Sequence, residues 1–381
     1  MALRSRLLLA TAAVLPLTLA VACSGGTGNA AIPLAAAASP GAGIPPGPAP
    51  GQQNLSETGS TLLFPLLRAW AGAYRGQHAN VSIATAATGS GKGIAEASAG
   101  KVDIGASDAF LSSGDLVTNP AMLNIPLAIS AQQVNYNITG LRPSVHLRLN
   151  GKVLAEMYQG SITTWNDPRI TALNPGVALP HTRVVPFHRA DSAGDTFLFT
   201  SYLSTQNAAW DRAIGYGTTV AWPRIPGPRA ATGNTGMVAG CAATPGCVAY
   251  VGIAYLSSAL NGGLGYASLR NALGAYEPPA AKTISAAVGS FVSATPVNET
   301  ISMVDGPAAA GYPIVNYEYA IVSARQRSAA KARDIKAFLH WAITTGNGPQ
   351  YLGPVRFQPL PASIVSLLMS LLPIAPRGSV P

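Results

Sequence analysis

Three short segments constrain this chain more than any bulk property does. Thr58-Gly59-Ser60-Thr61-Leu62 precedes a stretch in which Leu63, Leu67, Trp70, Ala71 and Tyr74 recur at helical spacing, with Pro65 early in the helix. Thr88-Gly89-Ser90-Gly91 lies between a β-rich run, Val81 to Ala86, and a helix from about Gly93 to Ala99. Asp191-Ser192-Ala193-Gly194-Asp195-Thr196 follows a strand, Arg183 to Phe187, and opens a helix through Thr196 to Leu203. Each places small residues and hydroxyls at a helix N-terminus, where unpaired N–H groups and the helix dipole favour an anion. One such segment is only a common cap. Three converging ones make a site for a small tetrahedral oxyanion.

Other patterns agree with alternating strands and helices. Val102 to Ala106, Val145 to Leu149 and Tyr317 to Val322 read as strands. Val153 to Met157, Ala329 to Trp341 and Ile364 to Leu372 read as helices. This alternation predicts an α/β architecture with mostly parallel sheets. With 381 residues, two domains and a sizeable core are accessible. Charged residues are only 10% of the chain, which excludes a charged disordered protein or a coiled coil. The net charge of +9 comes without a basic run, so no nucleic-acid partner is expected.

The N-terminus reads as an export signal over residues 1–22. Arg4 and Arg6 are followed by the apolar Leu7 to Leu19 and the small-residue cleavage site Ala20-Val21-Ala22. The apolar stretch falls short of the roughly 18 residues a membrane span needs. Cys23 would then be the first mature residue and the lipid anchor of a bacterial lipoprotein, although Ala20 stands where a lipobox usually has Leu. Ordinary secretion with a free thiol is the alternative. No residue from Leu7 to Ser56 is charged, and the Ala/Gly/Pro-rich residues 23–51 predict a flexible tether. Cys241 and Cys247 fit a small disulfide loop in an exported protein; a metal pair is the alternative, but no His or acid lies nearby.

Two motifs invite enzymatic readings that fail. Gly89-Ser90-Gly91-Lys92-Gly93 lacks both the first glycine of a phosphate-binding loop, where Ala86 stands, and the hydroxyl after the lysine. His188-Arg189-Ala190-Asp191-Ser192 holds hydrolase residue types within five positions, whereas real triads are assembled from distant segments. Arg189 reads better as a guanidinium making paired hydrogen bonds to an oxyanion, held by an acid such as Asp108. Asp108 itself, in Gly105-Ala106-Ser107-Asp108-Ala109, accepts a hydrogen bond only from a ligand that still carries a proton. Hydrogen phosphate does so at neutral pH; sulfate does not. The five histidines show no metal-ligand spacing, and no cofactor is expected.

These residues resemble a known family. Gly59-Ser60-Thr61-Leu62-Leu63-Phe64-Pro65, Gly89-Ser90-Gly91, Val102-Asp103-Ile104-Gly105-Ala106-Ser107-Asp108-Ala109 and Thr164-Trp165-Asn166-Asp167-Pro168 are similar to the phosphate-binding proteins of phosphate-specific ABC transporters, the PstS family. Leu173-Asn174-Pro175-Gly176, and Arg189 with Gly194-Asp195-Thr196-Phe197-Leu198-Phe199-Thr200, extend the match. Met237 to Tyr255, Ile301 to Pro307 and Phe338 to Ile343 resemble the mycobacterial-type lipoproteins in particular.

The resemblance implies a two-lobed, type II periplasmic-binding-protein fold with two chain crossovers and the ligand in the interlobe cleft. Lobe I would combine residues 52–136 with 313–381, and lobe II would span 137–312. Phosphate would be held by Ser60, Thr61 and Leu62, partly through backbone N–H, by the Ser90 hydroxyl and by Arg189. Asp108 would accept its proton. Ala193, Gly194, Asp195 and Thr196 would close the site, with Asp195 a second proton acceptor. Where the family usually has Gly-Ser-Gly, this chain has Ser192-Ala193-Gly194, so one hydroxyl is missing while the Ala193 N–H stays available. The implied partners are inorganic phosphate, an ABC permease and, through the anchor, the membrane. A receptor for sulfate or molybdate and, from another class, a phosphohydrolase are the alternatives.

Overall fold

The fold was read from a computed structural model in which residues 47–371 and 373–376 are described. The signal segment and Cys23 lie outside the described residues. The main sheet is built from β1 (Gln53–Gly59), β2 (Val81–Ala84), β3 (Ile104–Ser107), β4 (Met122–Tyr136), β5 (Val185–Arg189), β6 (Arg229–Ala231), β7 (Cys247–Gly252) and β8 (Val315–Ser323), with Gly265–Tyr266 pairing beside β4. The strand order is β2-β1-β3-β8-β4-β7-β5-β6.

Parallel pairing holds at both flanks: β1 with β2 and β3, and β5 with β6 and β7. The middle differs from the mostly parallel sheet that the sequence predicts. Strand β8 runs antiparallel to β3 and β4, and β4 runs antiparallel to β7. The reason lies in one long strand. Met122 to Ala131 of β4 pair with β8, and Gln132 to Tyr136 pair with β7, so a single segment passes from one half of the sheet into the other. Pro126 interrupts it. Having no N–H to offer, it coincides with a register shift opposite Glu318 and Tyr319.

Helices cover the sheet where the sequence predicts them, α1 (Phe64–Gln77), α2 (Ser90–Ser98), α3 (Gly194–Gln206), α5 (Ala329–Ile343) and α6 (Ala362–Leu371), and also at α4 (Gly233–Ala242), which it does not predict. Trp70 of α1 meets Trp341 of α5 edge to face at 6.5 Å, and the Trp70 indole donates to Gly346 O at 2.8 Å. Gly194 to Leu203 of α3 are buried on every side, so this helix is a core element. Cys241 of α4 is bonded to Cys247 of β7, which fixes the pair as a disulfide. Ile364 and Leu368 of α6 are buried.

The body begins earlier than composition suggests. Gly47 to Gly51, assigned above to the tether, lie against it: Ala49 N–H donates to Asp334 Oδ1 at 2.8 Å, and Asn80 Nδ2 donates to the carbonyls of Ala49 and Gly51. Among the described residues no helix is long and apolar enough to cross a membrane.

Candidate anion site

The three helix-start segments converge. Ser60 and Thr61 occupy the turn from β1 into α1, Ser90 opens α2, and Asp108 follows β3. Across from them Arg189 ends β5, and Gly194, Asp195 and Thr196 form the first turn of α3. The two sides touch: Gly91 N–H donates to Ser192 O at 3.1 Å. Gly89 is required there, because its φ is +94° and a Cβ would stand 2.6 Å from Ser192 O. Gly194 approaches as closely; a Cβ on it would stand 2.6 Å from Asp108 Oδ2. A groove of about 700 Å³ opens alongside, lined by Gly91, Ala109, Ser192, Phe197, Tyr216 and Thr218 among others.

On the first side Ser60 Oγ donates to Asp108 Oδ1 and accepts from the N–H groups of Leu62 and Leu63, at 3.1 and 2.9 Å. Ser90 Oγ accepts from Asp108 N–H at 3.2 Å. Asp108 is 1% exposed. Burial, reinforced by the Asp195 charge, raises its pKa to about 7, against hydrogen bonds from Glu318 and Ser60.

The other side corrects two expectations. Arg189 is held by Asp191 and Asp195, not by Asp108: its Nε donates to Asp191 Oδ1 at 2.8 Å, its Nη2 pairs with Asp191 Oδ2 and its Nη1 with Asp195 Oδ2. The nearer acid wins because Asp191 sits two residues along the same turn and offers both oxygens to the guanidinium fork. Burial works against the Asp191 charge, yet the Arg189 contacts prevail and hold its pKa below the ordinary carboxylate value. Asp195 is no free proton acceptor. Its Oδ2 also takes Asn234 Nδ2 at 2.8 Å and its Oδ1 takes Gln132 Nε2 at 3.1 Å, while burial still pushes its pKa up. A third correction concerns Ala193, whose N–H donates to Thr218 O at 2.8 Å. The hydroxyl of Ser192 is engaged with Thr218 Oγ1 at 3.1 Å.

Several contributors escaped the sequence reading. Asn234 links Thr61 Oγ1, at 2.9 Å, to Asp195, and accepts from Gly252 N–H at 2.7 Å. Its setting, Thr232-Gly233-Asn234-Thr235-Gly236 at the start of α4, repeats the small-residue design of the other three segments. Tyr250 OH bonds Thr196 Oγ1 at 2.8 Å and takes Arg189 N–H at 2.9 Å. Glu318, buried in β8, takes a hydrogen bond from Ser130 Oγ. An acid inside the run Val315 to Val322 was the available signal. The hydrolase triad does not form: His188 stacks on Trp222 at 4.8 Å, and its Nδ1 lies 3.1 Å from Arg189 O.

Two parallel half-sheets joined through antiparallel strands, with a buried polar site where their helix N-termini meet, define an α/β two-lobed periplasmic binding protein. The family model for the PBP superfamily domain matches residues 45–345. The chain is 33% identical over 314 residues to the phosphate-binding protein PstS of Xylella fastidiosa, covering 82% of this chain and 83% of that one. It is 30% identical over 332 residues to phosphate-binding protein PstS 3 of Mycobacterium leprae, covering 84% and 86%. The chain belongs to the PstS family of phosphate-binding proteins. The same fold occurs in the solved structure of a high-affinity periplasmic phosphate-binding protein, PfluDING, bound with phosphate, at a TM-score of 0.66, 20% identity and coverage of 83% and 93%.

Proposed function

We propose that this protein is an extracytoplasmic receptor that binds inorganic phosphate and delivers it to an ABC permease, making and breaking no bond. The lobes of this reading are residues 52–136 with 313–381, and residues 137–312, with Gly47 to Gly51 added to the first. Cys23 is its lipid anchor, holding the body at the outer face of the cytoplasmic membrane through the tether.

The observation that supports it best is the meeting of Asp108 and Arg189, both under 5% exposed, with three helix starts. Phosphate enters between them by exchanging partners. It takes the N–H groups of Thr61 and Leu62, the hydroxyls of Ser60, Thr61 and Ser90, and the Arg189 guanidinium. Gly194 and Asp195 supply N–H groups left free in the first turn of α3, and Thr196 turns its N–H from Ala193 O to the ligand. Ala193 caps that turn. Asp108 gives up the Ser60 hydrogen bond and accepts the phosphate proton, which excludes sulfate. Closure of the lobes then removes the anion from water.

Calorimetry on the phosphate-stripped protein with phosphate and sulfate tests this. Binding of phosphate with no measurable sulfate binding is expected; equal affinity for both would sink the assignment of Asp108. Release of phosphate from a phosphate ester by the pure protein would favour a hydrolase instead.

A further inference from the structure

Beneath the anion site lies a second carboxyl that the binding scheme does not use. Glu318 is fully buried on β8, beside the register shift that Pro126 imposes on β4. Its Oε1 takes the Ser130 hydroxyl, and the pairing of Tyr319 with Ser107 and of the Asn316 amide with Asp108 O sets Glu318 beside Asp108, whose charge acts on it. Ser60 Oγ serves Asp108 Oδ1, whereas Asp108 Oδ2 and Glu318 Oε2 meet no N–H or hydroxyl donor. Two ionised carboxylates repel and have no hydrogen to share.

We infer that Asp108 and Glu318 share one proton, and that the neutral Glu318 carboxyl, donating to Asp108, keeps Asp108 an acceptor toward the ligand. Glu318 is thus a positioning residue for phosphate recognition. This rests on the phosphate reading of the site.

The surroundings place the proton on Glu318. Burial and the Asp108 charge raise its pKa well above the ordinary carboxyl value, while the hydroxyl of Ser60 and the Arg189 charge favour the ionised form of Asp108. Of the other groups near the pair, Asp195 adds negative charge that raises both, and Arg189 acts on Asp108 in the opposite sense. Tyr255 and Tyr319 are phenols whose own pKa values burial pushes up, so both are neutral at physiological pH. The shared proton has a consequence for pH. When alkaline conditions remove it, two anions stand side by side next to the incoming phosphate, and affinity falls.

Glutamine at 318 would accept from Ser130 with its oxygen and donate to Asp108 with its nitrogen, but has no proton to lose. Phosphate affinity of the full chain is therefore measured by calorimetry from mildly acidic to alkaline pH for the parent, Glu318→Ala and Glu318→Gln. Glu318→Ala should lose roughly tenfold or more in affinity, the loss of one charge-assisted hydrogen bond. Glu318→Gln should recover it and lack the parent's alkaline decline. Infrared difference spectra of phosphate-free protein at neutral pH, parent minus Glu318→Gln, should show a protonated-carboxyl C=O stretch. Identical pH profiles for parent and Glu318→Gln, or no such band, would overturn the shared proton. If Glu318→Ala does not fold, these two comparisons decide. If the parent fails to bind phosphate the functional reading falls, while the infrared result still judges the proton.

Discussion

Gly194→Ala is the substitution most exposed to failure. Gly194 opens α3 against Asp108, and an added Cβ would stand 2.6 Å from Asp108 Cβ and Oδ2 and 2.7 Å from Cγ. Ordinary carbon contacts begin near 3.5 Å, so one side must withdraw by about 1 Å. Asp108 cannot give way. Its N–H is bonded to Ser90 Oγ and its carbonyl takes the Asn316 amide, backbone anchors that the exchange of Ser60 for phosphate leaves in place. Overpacking of this kind costs about 1–3 kcal/mol, which is roughly 5- to 150-fold in affinity. The cost falls on the arrangement in which the α3 loop meets Asp108, and opening of the lobes relieves it. Alanine is otherwise the better helix former by up to about 1 kcal/mol. Calorimetry should therefore show weaker phosphate binding, and the phosphate-induced rise in melting temperature should shrink. The melting temperature without phosphate should stay close to the parent's. Parent-like affinity would refute the claim that phosphate is held with Gly194 packed on Asp108.

Asp108→Asn should weaken phosphate binding and narrow the gap to sulfate, since an amide repels neither anion; competition calorimetry that finds the parent's discrimination intact would contradict this. Glu57 provides a stability test away from the ligand. Burial raises its pKa from an ordinary 4.5 to about 8, so its contribution to stability is complete below the lower value and is lost as pH climbs through the upper one. Glu57→Gln should leave urea stability unchanged near the lower pH and increase it by on the order of 4 kcal/mol near the upper. An equal effect at both would mean that packing, not charge, sets the change.

The legible parts of this protein were those whose chemistry is local. A helix-start segment needs only its own glycines, hydroxyls and N–H groups, so Ser60, Ser90 and Gly194 could be singled out without knowing what they face. Helices α1 and α5 carried their apolar spacing openly. Strand β4 did not: Asn124, Pro126, Ser130, Gln132, Gln133 and Asn135 break its apolar pattern, and Asn124, Ser130, Gln132 and Asn135 find their partners far along the chain. Gln132 reaches Asp195 across 63 residues of sequence, and Ser130 reaches Glu318 across 188. The antiparallel centre of the sheet was hidden for the same reason. Gly47 to Gly51 misled in the opposite way. Their composition describes a loose linker, but Asp334 and Asn80 supply the hydrogen bonds that hold them.

The charges around the anion site constrain the proposed binding scheme. Arg189 contributes one positive charge, and Asp191 and Asp195 already pair with it. Asp108 adds a further acid, and Glu318 another. Summed, the buried side chains are negative or at best neutral, although the chain as a whole carries +9. The distant positive charge is screened over about 8 Å at physiological salt, so it aids approach and not retention. An anion held here is held by N–H groups, hydroxyls and a guanidinium that trades one oxygen partner for another. Acids in such a place are a liability unless they read something that the dipoles cannot. In the proposed scheme what they read is the proton: a ligand oxygen bearing hydrogen turns Asp108 from a repelling neighbour into a partner. Selectivity for a protonated oxyanion and a negative inner surface are therefore the same feature of the site, and the neutral dipoles around it are what make that feature tolerable.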